Sequence, residues 1–87
     1  MFAGVQFSGQ VSPNASRRWF TSAWPAGWYV IWNVVPVTPN KGAPQVEWRV
    51  EVERTDAGHL TYWITVRNLT AQPVGVEGRF IVVNQEG

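Results

Sequence analysis

Three groups of residues could carry chemistry in this sequence. His59 is the only histidine and follows Asp56 by three residues, a pairing from which an oriented base can be built. Glu51 and Glu53 would share one face of an extended strand at about 7 Å, a spacing that a carboxylate pair can use. Trp63 lies between Tyr62 and Ile64, so on a strand whose apolar neighbours point inward its indole points outward, among arginine, threonine and glutamate. Tryptophan so placed stacks on the apolar face of a pyranose while charged and amide groups bond its hydroxyls. Trp63, Arg49, Arg79 and Glu51 are therefore the ligand-binding candidates. The same ring could instead anchor a subunit interface, where tryptophan, tyrosine and arginine dominate the binding energy.

The first two groups weaken on inspection. His59 falls in a hairpin loop, a poor frame for triad geometry, and reads as an exposed loop histidine. Glu51 and Glu53 have Arg49 and Arg54 beside them and read as a solvated, charge-paired face. No catalytic residue is assigned, and the chain is read as non-enzymatic. With no cysteine and one histidine, neither a disulfide nor the usual three or four protein ligands of a metal can be assembled, so no metal site or cofactor is expected. Seven basic against six acidic side chains, a net +1, leave no basic excess for nucleic acid. The apolar runs are too short for membrane insertion. MFAGVQFSGQ has neither the basic start nor the apolar run of a signal peptide, which leaves the compartment open between cytoplasm and export. The sequons Asn14-Ala15-Ser16 and Asn68-Leu69-Thr70 each lie where a turn already favours asparagine.

The elements that must position these residues are strands. Trp19 to Pro36 holds four of the six tryptophans, and Trp28 to Val35 reads as a strand apolar on both faces, which must be covered twice. Trp24, Trp28 and Trp32 recur every fourth residue, as on a helix, but Pro25 and Gly27 break that stripe. Phe2 to Val11 reads as a first, edge strand bent at a glycine, with Val5, Phe7 and Val11 on one side. Arg17 to Trp24 is the second, with Trp19, Thr21 and Ala23 facing one way and Arg18, Phe20, Ser22 and Trp24 the other. Pro36 to Pro44 is an irregular connection long enough to cross between sheets. Gln45 to Glu53 alternates most cleanly, and Thr55 to Gly58 is a hairpin loop with a glycine for a positive φ. Leu60 to Arg67 follows, then a turn from Asn68 to Pro73. The last strand turns Val74, Val76, Phe80 and Val82 inward and Glu77, Arg79, Ile81 and Val83 outward.

Taken as a meander, the last three strands register with Trp48 opposite Val66, Glu47 beside Arg67, and Arg67 beside Glu77. Glu51, Trp63 and Ile81 then form one row, and Arg49, Thr65 and Arg79 another. The fold class expected is all-β: a small antiparallel sandwich or barrel of about six strands, a single domain over residues 1–87 without substantial helix. Trp19, Trp32, Trp48, Tyr62, Ile64, Phe80 and the inward valines would form its core. Tyr29, Ile31, Val35, Trp63, Ile81 and Val83 remain outside, a patch larger than a soluble monomer usually exposes, and are assigned to an oligomer interface. A chain this short buries only about 60–65% of its unfolded surface, which independently calls for self-association.

The aromatic strand after a proline from Pro25 to Val34, the strand with Val50 and Val52, the hairpin at Gly58 and the strand with Tyr62, Trp63 and Ile64 together resemble an H-type lectin domain, over about the last two-thirds of the chain. The resemblance implies a six-stranded antiparallel sandwich that assembles into trimers or hexamers and binds sugars at surface sites. None of that family's sugar-contacting residues is matched by position here. Two functions are therefore expected as alternatives. One is a lectin-like homo-oligomer, a trimer or higher, whose repeated shallow sites bind glycans with avidity. The other is a structural or assembly module that self-associates through its second aromatic face and takes no small ligand.

Overall fold

The computed structural model describes residues 1–84. Six strands carry the chain: β1 (Phe2–Val11), β2 (Ser16–Pro25), β3 (Val30–Pro36), β4 (Val46–Asp56), β5 (His59–Asn68) and β6 (Val74–Val82). They form two three-stranded antiparallel sheets, ordered β1-β6-β3 and β2-β5-β4, and there is no helix among the described residues. The expected small all-β fold is what forms, as a sandwich.

Only β4 and β5 are joined as a hairpin; every other connection passes from one sheet to the other. The Pro36 to Pro44 segment makes such a crossing, as its length suggests. The Asn68 to Pro73 segment makes one too, and here the structure corrects the meander. β6 does not pair with β5 but lies between β1 and β3. The β4–β5 half of the register holds, with Trp48 opposite Val66, Glu47 opposite Arg67, Arg49 opposite Thr65 and Glu51 opposite Trp63. Glu77, Arg79 and Ile81 belong instead to the far sheet, where Arg79 lies between Val5 and Asn33 and Ile81 between Ala3 and Ile31.

The agent of that crossing is Asn68, fully buried at the end of β5. Its amide donates to the carbonyls of Val11, Ser12 and Gln72, and its carbonyl accepts from the Thr70 amide and hydroxyl. A buried amide with all these partners is strongly held, because removing any one leaves a polar group unsatisfied. Its Nδ2, the atom a sequon would modify, is committed to the fold.

Two bulges reset the alternation read from sequence. On β2, Ser22 and Ala23 together face Thr61, and Ala23 takes a φ of 67°. The extra residue inverts everything after it. Trp24, expected outside, is buried, and its indole N–H donates to the Thr21 hydroxyl at 3.0 Å. On β1, Gln6 is the extra residue, so Val5 is exposed while Phe7 turns inward to stack on Trp19 at 4.5 Å. The bend expected at a glycine lies at Gln6 instead. Gly78 opposite it must lack a side chain, since a Cβ there would fall inside the Phe7 ring.

The core centres on Trp24, with Phe80 at 5.2 Å, Trp32 at 5.5 Å, Tyr62 at 6.1 Å and Trp28 at 6.4 Å, all edge-on. Such pairs add about 0.5–1.5 kcal/mol each beyond their buried area, which is how a domain without disulfides can compensate for its size. Trp28 joins this cluster from the loop before β3, which starts two residues later than expected. Trp48 is not part of it. On the open side of the sandwich, where β4 is an edge, Trp48 and Val52 face inward without cover and are 38% and 58% exposed.

Candidate functional site

The outer surface of the β2-β5-β4 sheet gathers most of the residues singled out from sequence. β5 is its central strand and places Trp63 between Phe20 on β2 and Glu51 on β4. One row toward the Asn68 end, Thr65 lies between Arg18 and Arg49; one row further, Arg67 lies between Ser16 and Glu47. In the other direction Thr61 faces Glu53. These side chains share a face because they share parity on strands whose other parity is apolar.

Trp63 is half-buried and held on several sides. The Phe20 ring is 5.1 Å away at a tilt of 31°, and the Arg18 guanidinium lies 4.5 Å over the indole. The indole N–H donates to Glu53 at 3.0 Å, and Arg18 pairs with Glu51 at 3.6 Å. An exposed cation–π contact of this kind contributes about 0.5–1 kcal/mol, and the ion pair less than about 1 kcal/mol. Their combined effect is to orient the ring. Phe20 is 64% exposed and forms the free end of this aromatic pair. Beside it lies a shallow depression of about 410 Å³, lined by Ser16, Glu47, Trp48, Arg49, Thr65 and Arg67.

Of the expected ligand residues, Trp63, Arg49 and Glu51 are together on this face. Arg79 is not: it sits on the outer surface of the other sheet, bound to Glu77 at 2.9 Å. The row of two arginines flanking Thr65 does exist, with Arg18 in the place assigned to Arg79. Arg18 and Phe20 are the site residues that sequence reasoning missed. Their outward parity on the second strand was the available signal; what was lacking was that this strand pairs with β5.

The expected interface patch also divides. Tyr29, Ile31, Val35, Ile81 and Val83 lie on the outer face of the β1-β6-β3 sheet, while Trp63 is on the opposite side of the molecule. Tyr29 and Ile31 are 69% and 58% exposed there.

The hairpin pair closes the local chemistry. His59 Nδ1 lies 3.0 Å from Asp56 Oδ1, which also accepts the Gly58 amide at 2.8 Å. The Gly58 bond, and secondarily His59, lower the Asp56 carboxyl below its ordinary value. Gly58 does not take the positive φ anticipated for it; the turn is closed by the Asp56 side chain. Both side chains are exposed at the tip, away from the aromatic pair. Among the described residues no group of three or more histidine, aspartate or glutamate side chains is placed to hold a metal ion. Compared with protein-family models, with curated proteins and with solved structures, the chain matches none of them significantly.

Proposed function

We propose that the protein is a non-enzymatic, lectin-like binding module whose carbohydrate site is the outer face of the β2-β5-β4 sheet. The observation that carries this reading is the pair Phe20 and Trp63: an exposed ring beside an oriented one, bordered by Arg18, Thr65, Arg49 and Glu51. Pyranose C–H groups would stack on the aromatic pair, and the hydroxyls would reach the guanidinium, hydroxyl and carboxylate groups around the adjoining depression. The site is open, so each copy binds weakly, and several copies in a homo-oligomer supply avidity. Arg79 is not part of this site.

A second reading, a structural module with no small ligand, is favoured by the other outer face, where Ile81 lies between Ala3 and Ile31 and next to an exposed Tyr29. Immobilised glycans, with tryptophan fluorescence as the solution readout, separate the two. The lectin reading requires saturable binding that Phe20→Ala and Trp63→Ala remove while native mass spectrometry shows an unchanged assembly. Absence of binding to any glycan would favour the structural reading, and dissociation of the assembly by Trp63→Ala would make Trp63 an interface residue and overturn the site.

A further inference from the structure

The four strand edges of this sandwich are not equally protected against pairing with another chain. β1 is broken by its bulge at Gln6, β2 by Ser22 and Ala23 with Pro25 at its end, and β3 is short and ends at Pro36. Bulges, prolines and short strands are the usual devices that blunt an edge. β4 is long, holds no proline, and has its one irregularity at Thr55, beside the hairpin turn. Its register against β5 is unbroken from Val46 to Arg54.

The parity of its free edge follows from one hydrogen bond. The Leu69 amide donates to the Gln45 carbonyl, so odd-numbered residues along this strand turn their N–H and C=O groups to β5. Trp48, Val50 and Val52 therefore present theirs to the open side. Trp48 and Val52 are also the inward-facing apolar side chains of β4 left most exposed.

We propose that β4 is a homodimer edge, pairing antiparallel with β4 of a second copy about a two-fold axis at Val50. This reading stands on the free edge of β4 and not on glycan binding, although Arg49 and Glu51 also border the proposed glycan site. The axis sets Trp48 of each copy beside Val52 of the other, covering both, and sets Arg49 of each opposite Glu51 of the other. Moving the axis to Arg49 brings arginine against arginine and Glu47 against Glu51. Moving it to Glu51 brings that carboxylate against its own copy and Trp48 against Arg54. The axis at Val50 also faces Glu47 with Glu53 at the ends, but Glu47 already lies near Arg67 and Glu53 already accepts from Trp63. The product is one six-stranded sheet running β2-β5-β4 and back, with the aromatic sites of both copies on the same outer surface.

The test is native mass spectrometry over a dilution series of the whole chain. Wild type is expected to dimerise reversibly. Arg49→Glu and Glu51→Arg, alone, each turn two opposite-charge contacts into like-charge ones and should raise the dimer dissociation constant about tenfold or more. Mixed in equal amounts they restore both pairs, glutamate at each position of one copy facing arginine in the other, and a heterodimer of wild-type strength should return. Val52→Pro removes an N–H that faces the open edge and no bond to β5, so it should abolish the dimer with the circular dichroism of the fold retained. A wild type that stays monomeric at every concentration overturns the proposal. So does a dimer indifferent to Val52→Pro, or a mixture no tighter than its components.

Discussion

The two outer faces of this sandwich are built on the same architecture and carry opposite chemistry. On the β1-β6-β3 sheet, Tyr29, Ile31, Ile81 and Val83 lie exposed, with Glu77 and Arg79 bonded to each other at 2.9 Å beside them. On the β2-β5-β4 sheet, Phe20 and Trp63 sit among Arg18, Arg49, Glu51, Glu53 and Thr65. A face of the first kind gains most from a large water-excluding contact and has few groups to discriminate a small polar ligand. A face of the second kind offers stacking and hydrogen bonding at one point and little continuous apolar area. Under the function proposed above, the first face suits assembly and the second recognition, two roles that Trp63 alone, read from sequence, could have filled.

Ile81→Arg carries the largest expected effect. Placing a charge at the middle of the apolar face should weaken any association through it by tenfold or more, while glycan binding per subunit and folding stability stay nearly unchanged, since Ile81 is exposed. Loss of glycan binding in that variant would mean that the two faces are not separate. Phe20→Ala should act in the opposite sense, lowering glycan affinity about tenfold with no change in oligomeric mass; calorimetric titration alongside mass measurement reads both. Ala23→Gly tests the bulge in β2. Ala23 carries a φ of 67° in the bulge, so glycine there should raise stability by about 0.5–1 kcal/mol in urea titration and leave both faces intact. Trp63→Phe keeps a ring but loses the N–H donated to Glu53 and part of the indole surface under Arg18, so about 0.5–1 kcal/mol of stability should be lost. The smallest effect belongs to the hairpin tip. The Gly58 amide and His59 hold the folded Asp56 carboxyl below its ordinary value, so the stability it lends is present above about pH 4 and disappears as pH falls through the lowered value. Asp56→Asn should therefore lower stability slightly at neutral pH, converge with wild type in acid, and so flatten the acid limb of an unfolding profile.

The parts of the candidate site that were legible before the structure lie on a single hairpin. Arg49, Glu51 and Trp63 were placed in the right rows because β4 and β5 are joined by a tight turn and alternate cleanly, and such a turn leaves little freedom in register. Arg18 and Phe20 were not placed with them, and Arg79 was placed there wrongly, because the neighbours of β5 across the sheet come from distant segments. Alternation reports which face a side chain takes, but it is silent about which strand lies alongside.

An all-β domain, most strand positions, the inward set of β6 and the lack of a cysteine framework are written in the order of residues, because propensity, breakers and two-residue alternation are local properties. The tertiary structure alone decided that β6 leaves the hairpin for the other sheet, that Trp24 turns inward and that Trp48 stays at an open edge. The first follows from the buried amide of Asn68, which is satisfied only where the ends of β1 and β5 meet. The second follows from a bulge that one strand read alone cannot reveal, since the extra residue exists only relative to a partner strand. The third follows from how far one sheet extends over the other, a property of two packed layers that no residue of either layer carries on its own.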